Sequence, residues 1–253
     1  MKGWVFCVVF VAVASTCLGV CRFPPSLWCS SNAIAEECQV TSQCKQWTYP
    51  PLNDVKPVDF ALYYESLCPG CRDMFATQLN LAYRKVGEIM NLTLVPYGNA
   101  QEKKVGSKWV FECQHGKEEC IGNIIETCTI YLVKNISVYF PFIQCMETTS
   151  GPQEKVAQKC ASKFKGIDLD KIMGCSKGSL GNELEHQMAL QTNALQPPHD
   201  FVPWVTLNGV HTDDIQDKAE TDLVNLICQT YQGPKPAGCK KDENNLMHSC
   251  LRN

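Results

Sequence analysis

Seventeen cysteines in 253 residues constrain this chain more than any other feature, because their spacing sorts them into groups with different uses. Such a density marks an oxidising compartment, since exposed thiols would be kept reduced in a cytosol. Cys7 and Cys17 fall in an N-terminal stretch where Lys2 precedes an apolar run over residues 4–14, followed by Ala14, Ser15 and Gly19. That is the layout of a signal peptide, expected to be removed as residues 1–19. The run is well short of the roughly 20 residues a spanning helix needs, so a soluble product is expected rather than a single-pass anchor. Two acceptor triplets, Asn91-Leu92-Thr93 and Asn135-Ile136-Ser137, fit passage through a glycosylating compartment.

A second group, Cys21, Cys29, Cys38 and Cys44, is packed into 24 positions with few long aliphatic residues beside it. So short a segment needs staples to fold, and four cysteines allow three pairings between which spacing does not choose. The intervals of 7, 8 and 5 residues lack the close ligand pairs that zinc uses, so structural disulfides are expected and a metal site is not. Residues 48–57, rich in proline, read as an exposed linker and a protease site.

A third group is Cys68-Pro69-Gly70-Cys71. It follows a run of aliphatic and aromatic residues over 58–67 that reads as a buried strand. From Arg72 onward, Met74, Phe75, Leu79, Ala82, Tyr83, Val86 and Ile89 recur at helical intervals, and residues 91–97 read as a second strand. Strand, Cys-x-x-Cys, helix, strand is a thioredoxin-like opening, and the fold class expected is α/β. The spacing suits thiol-disulfide exchange, in which a thiolate attacks a disulfide and a second thiol nearby resolves the mixed disulfide. Cys68 at the helix start is the expected nucleophile, its ionised form favoured by unpaired N–H groups, and Cys71 the resolver. Far along the chain, Val202-Pro203 precedes a short strand that ends at Asn208-Gly209, a pair suited to a tight hairpin. In thioredoxin-like folds a cis proline stands opposite the cysteines and the residue before it offers its backbone to the substrate, which places Val202 and Pro203 in that role. Residues 215–231 read as a closing helix.

About 100 residues separate the second strand from Val202, too many for a loop in a compact domain. They are expected to form an inserted helical subdomain over about 103–195, with helices near residues 152–164, 169–173 and 182–192. Its Cys113, Cys120, Cys128, Cys145, Cys160 and Cys175, with Cys228 beyond it, are candidates for structural disulfides. The balance of 23 basic against 26 acidic residues, a net charge of -3 with no long basic run, argues against nucleic acid as a partner.

The segment CQHGKEECIGNIIETC over residues 113–128 resembles the signature of the gamma-interferon-inducible lysosomal thiol reductase family, with Gln114, His115, Gly116, Glu119, Cys120 and Asn123 at its fixed positions. LVPYGNAQE over 94–102 and ALQPPHDFVPWVTLNG over 194–209 are similar to that family too. Residues 20–56 resemble a small saposin A-type module of the kind trimmed during lysosomal maturation. The resemblance implies a lysosomal and endosomal reductase of disulfides in endocytosed proteins at acidic pH, with Cys68 and Cys71 as its redox-active pair and support for class II antigen processing. It implies an external small-molecule thiol as electron donor and no bound cofactor. It further implies a glycan-dependent sorting receptor, glycans at Asn91 and Asn135, some secretion of the precursor, and a domain over 57–233 trimmed at both ends. The C-terminal propeptide is then 234–253, its cut near Gly233 to Lys235 removing Cys239 and Cys250.

His115 reads as a structural histidine beside the Cys113 and Cys120 staples, and His199, near Pro203, as the better candidate for tuning the thiols. Without the signal peptide 15 cysteines remain, an odd number, so a disulfide-linked precursor homodimer through Cys239 or Cys250 is expected. The same residues admit a stapled binding protein in which Cys68 and Cys71 form a permanent bridge, or an enzyme that forms disulfides rather than reducing them.

Overall fold

The structure is a computed structural model that describes residues 55–240 together with residues 21, 28–29 and 32–44. The signal segment 1–19, most of the linker and Cys250 lie outside the described residues.

Strand β1 (Val58–Tyr64) is the middle of a three-stranded sheet in the order β2-β1-β5. It runs parallel to β2 (Met90–Pro96) and antiparallel to β5 (Trp204–Leu207). Alternate residues Val58, Phe60, Leu62 and Tyr64 are buried, the period-2 pattern of a strand with one face fully in the core. The strand stops at Tyr64 rather than at residue 67, because the backbone and side chains of Glu65 and Ser66 bond to other parts of the chain. The Ser66 N–H donates to Asn123 Oδ1 at 2.9 Å and its hydroxyl to the Glu119 carbonyl at 3.0 Å.

The parallel crossover from β1 to β2 is helical throughout: α3 (Pro69–Asp73), a π-helical turn (Met74–Leu79), α4 (Asn80–Val86) and a short 3-10 turn. Helix α10 (Asp213–Thr230) packs against this crossover. It begins at Thr212, whose hydroxyl accepts from the Ile215 N–H at 3.2 Å, a conventional N-cap. Between β5 and α10 the chain reverses through Asn208 (φ 50°) and Gly209 (φ 77°), the paired left-handed residues of the tight hairpin.

The insertion is not wholly helical. It opens with an antiparallel hairpin, β3 (Gln101–Val105) and β4 (Lys108–Glu112), which the sequence pattern hides because no residue of it is fully buried and β3 is almost wholly polar. Trp109 anchors it, stacked on His186 with ring centroids 3.7 Å apart, while the Asn182 amide brackets the Trp109 backbone at 2.9 and 2.7 Å. Five helices follow: α5 (Lys117–Val133), α6 (Ile136–Glu147), α7 (Gln153–Ala161), α8 (Leu169–Ser176) and α9 (Ser179–Asn193). The last three occupy the segments expected to be helical. The first two escape periodicity, α5 because it buries Glu119, Asn123 and Glu126 on its inner face and α6 because it carries Pro141 amid aromatic and β-branched residues.

Disulfides tie the insertion together. Cys128–Cys175 joins α5 to α8 across 47 residues, Cys145–Cys160 joins α6 to α7, and Cys113–Cys120 closes the turn before α5. In the N-terminal segment, Cys21 pairs with Cys38 and Cys29 with Cys44, around the short helices α1 (Asn32–Glu37) and α2 (Thr41–Cys44). Cys228 pairs with Cys239. That bond corrects one expectation: Cys239 is consumed within the chain and is not a link between chains. Nor does a cut near residues 233–235 by itself remove Cys239, since the bond to Cys228 on α10 spans the cut. Among the described residues no helix is long and apolar enough to cross a membrane.

Candidate active site

Cys68 and Cys71 are the two free cysteines among the described residues. Cys68 is the N-cap of α3, in extended conformation, and Pro69 occupies the first helical position, where its missing N–H costs no bond. The Cys71 N–H points at Cys68 Sγ from 3.4 Å. Cys68 is 7% exposed and Cys71 is fully buried, so one sulfur can be reached from outside and the other sits behind it. The two thiols are pushed in opposite directions. Cys68 falls from 9.0 to about 6, chiefly because the Cys71 thiol donates to its sulfur, helped by the N–H groups of Cys71 and Gly70 and by the charge of His115, against the opposing effect of burial. Burial, followed by the bond to Cys68, drives Cys71 far up. An ionised outer thiol and a protonated inner one is the division of labour that thiol exchange requires.

The Val202–Pro203 peptide is cis and lies over this pair. Cys68 Sγ is 3.6 Å from the Val202 carbonyl oxygen, and a Cβ on Gly70 would come 3.2 Å from Pro203 Cδ, so glycine in the second variable position lets the proline close down on the helix start. The Val202 backbone is fixed from below, where Gln216 Nε2 donates to the Pro203 carbonyl at 2.8 Å and Gln216 Oε1 accepts from Val205 N–H at 3.0 Å. Beside it, Phe201, Trp204 and His211 form an aromatic group. Trp204 and His211 are stacked 3.4 Å apart, Phe201 is 40% exposed, and a cleft of about 390 Å³ opens against them.

Two carboxyl groupings near the thiols were not assigned roles by the sequence pattern. Glu126 and Glu147, both fully buried, face each other beneath the site, and the Tyr64 hydroxyl donates to Glu126 Oε2 at 2.6 Å. Burial pushes Glu126 up to about 7, and burial with the Glu126 charge pushes Glu147 well above the usual carboxylate range. The second grouping is Glu65, His115 and Glu119, whose ligand-type atoms lie within 4.8 Å of one another. That spacing could accept a cation, but three of the four carboxylate oxygens are already engaged. Glu119 meets His115 through both oxygens, and Glu65 Oε1 accepts from the Asn99 N–H at 2.6 Å.

Of the residues picked out from sequence, Cys68, Cys71, Val202 and Pro203 come together at one place. His115 is the histidine whose charge reaches Cys68, because Gly116 (φ 89°) and the Cys113–Cys120 bond fold it back onto the start of α5. Asn91 and Asn135 are exposed, away from the thiols. Asn91 Nδ2 donates to Asp59 at 2.7 Å, and Asn135 caps α6 by accepting from the Ser137 N–H at 3.0 Å.

A strand, a dithiol at a helix N-terminus and a cis proline across from it define an oxidoreductase acting on disulfides, of the thioredoxin-like class. DsbA of Chlamydia trachomatis shares this fold, with a TM-score of 0.50 at 14% identity over 68% of this chain and 88% of that one. The chain belongs to the gamma-interferon-inducible lysosomal thiol reductase family. The model of that family matches residues 59–164. The gamma-interferon-inducible lysosomal thiol reductase of Carassius auratus is 46% identical over 246 residues, 94% of each chain. Its namesake in Mus musculus is 37% identical over 203 residues, 80% of this chain and 79% of that one.

Proposed function

We propose that the protein reduces disulfide bonds of endocytosed proteins in acidic lysosomes and endosomes, with Cys68 as nucleophile and Cys71 as resolving thiol. The observation that carries this reading is the isolation of the pair. Twelve other described cysteines are bonded in six disulfides, while Cys68 and Cys71 stay free at a helix start beneath the Val202 carbonyl. The Cys68 thiolate attacks one sulfur of a substrate disulfide; that S–S bond breaks, a bond from Cys68 to the substrate forms, and the departing sulfur takes a proton. Cys71 then gives up its proton and attacks Cys68 Sγ, which releases the second substrate thiol and leaves Cys68 and Cys71 joined. Two equivalents of an external small-molecule thiol, themselves oxidised to a disulfide, restore the dithiol, and no bound cofactor takes part. The Val202 backbone, presented by Pro203, pairs with the substrate chain during attack.

Acidity favours this assignment on physical grounds. A thiol near 6 keeps a working fraction ionised at about pH 5, where an ordinary thiol is almost wholly protonated. The names of the relatives place them in lysosomes. Export, glycans on the exposed Asn91 and Asn135, and a glycan-dependent sorting receptor would bring the chain there, some precursor being secreted. Residues 20–56, resembling a saposin A-type module, and residues 234–253 are propeptides on this reading, and a precursor homodimer would be linked through Cys250. Unfolding of antigens in this way supports class II processing.

The test is reduction of a denatured, disulfide-bonded substrate at about pH 5 and pH 7 by the protein and by its Cys68→Ser and Cys71→Ser variants. Activity at acidic pH that vanishes in Cys68→Ser, with a trapped mixed disulfide in Cys71→Ser, is the expected outcome. Equal rates in all three would assign the pair a structural bridge and the protein a binding role.

A further inference from the structure

The family signature fixes His115 and Glu119, and the chemistry of the thiols alone gives neither a task. Their surroundings do. Glu65 directly follows β1, three positions before Cys68, and its carbonyl accepts the Cys68 N–H at 3.3 Å. Its carboxylate is fully buried, and Oε2 has no donor apart from the His115 imidazole, whose Nδ1 lies 3.4 Å away. The same Nδ1 lies 2.6 Å from Glu119 Oε2, also fully buried, and the His115 N–H donates to Glu119 Oε1 at 2.9 Å.

Three separate segments converge on Glu65. Gly98 (φ 60°) leaves room for it, since a Cβ there would stand 2.5 Å from Glu65 Cγ. Asn99 bonds it through its N–H and reaches Gln114 Oε1 with its amide at 2.9 Å. Helix α5 holds the next residue through Glu119 and Asn123, and approaches so closely that a Cβ on Gly122 would stand 2.3 Å from Ser66 Oγ. Glu65, three residues before Cys68, opposes a thiolate there when it is itself ionised, unless a positive charge stands beside it.

We infer that His115, clamped between Glu65 and Glu119, is a positioning residue for the thiol chemistry, its positive charge offsetting the two buried carboxylates beside the Cys68 thiolate. The inference rests on the reading of Cys68 as the nucleophile. The groups facing the imidazole are Glu65 from the end of β1 and Glu119 from α5, with Cys68 beyond them. Burial, Glu119 and the Cys68 charge together lift Glu65 to about 7, and the His115 charge works against that lift while it lowers Cys68. His115, its side chain 32% exposed, is the cluster's contact with solvent.

The experiment compares His115→Gln, which removes the charge, with His115→Lys, which keeps it, both in the Cys71→Ser background. The Cys68 ionisation midpoint is read from iodoacetamide alkylation rates across pH 4 to 9, beside the thermal midpoint of each protein. In His115→Gln, alkylation at about pH 5 should slow by about three- to tenfold, the effect of one charge about 5–6 Å away at an effective dielectric of about 50–80, as suits a partly exposed imidazole. His115→Lys should recover most of that rate. A lowered thermal midpoint with identical Cys68 midpoints in all three proteins would overturn the inference and leave His115 a brace for the loop. If His115→Gln does not fold, His115→Asn carries the same comparison. Failure of the underlying reading is distinguishable, because the otherwise unaltered protein would then show no reductase activity that depends on Cys68.

Discussion

The hydrogen bond from Cys71 to Cys68 can be removed or kept by choice of substitution, and the consequence can be worked out beforehand. Serine at position 71 retains a donor to the Cys68 sulfur, whereas alanine retains only the backbone N–H at 3.4 Å. A bond to a charged acceptor contributes about 1.5–3 kcal/mol, which corresponds to roughly one to two pH units in the Cys68 midpoint. With Cys68 near 6, about a tenth of it is ionised at pH 5, against roughly one part in ten thousand for a thiol at 9.0. That is a gain of roughly 1000-fold in thiolate, of which the weaker nucleophilicity of a low-pKa sulfur takes back about 16- to 32-fold, leaving about 30- to 60-fold. Stopped-flow alkylation of Cys71→Ser should therefore titrate near pH 6 and outrun a simple alkyl thiol at pH 5 by that margin. Cys71→Ala should titrate about one to two units higher. A Cys68 midpoint above about 8 in the serine variant, or coincident curves for serine and alanine, would refute the reasoning.

Buried carboxyls give stability a pH dependence of definite sign. Burial pushes Glu126 up to about 7 and holds Glu147 and Glu185 well above the usual range, so the folded chain binds more protons than the unfolded one between the ordinary carboxylate value and these. Their contribution is fully present below the unfolded value of about 4.3 and is lost as pH rises through the folded values, about 7 for Glu126; the thermal midpoint should be higher at about pH 5 than at about pH 7.5, and Glu126→Gln should narrow the gap. A midpoint that rises over that range would contradict this. Asn123→Ala leaves the buried Ser66 N–H without its acceptor, but also deletes an amide Nδ2 that has no protein partner, so urea unfolding should show a net loss of about 1–2 kcal/mol. Opening Cys128–Cys175 by a double serine substitution frees a loop of 47 residues and should cost about 4 kcal/mol in the same assay if chain entropy dominates. Cleavage at residues 233–235 should leave the C-terminal piece attached through Cys228–Cys239, visible as one band on a non-reducing gel and two on a reducing one.

The parts of this protein that local chemistry controls could be read from the chain. The strand before Cys68, the helix start at Pro69, the left-handed pair Asn208-Gly209 and the capped helix after Thr212 each depend on residues within a few positions of one another, and periodicity or turn preference reports them. So the dithiol, the proline opposite it and the thioredoxin-like frame were legible. The β3–β4 hairpin was not, because β3 is almost wholly polar and β4 sets three apolar residues, Trp109, Val110 and Phe111, in a row, which hides the alternation. Helix α5 was not, because its buried face mixes Glu119, Asn123, Glu126 and two threonines with Ile125 and Cys128.

What only the tertiary structure decided depends on distances through space between residues remote in sequence. Which of the cysteines pair follows from which Cα atoms are brought within reach, and that is how Cys239 came to close on Cys228 instead of another chain. The surroundings of Cys68 and His115 are set the same way. The sequence favours His199, for its nearness to Pro203, over His115, but the fold buries Glu65 and Glu119 around His115, and an electrostatic interaction grows as charges approach and water withdraws.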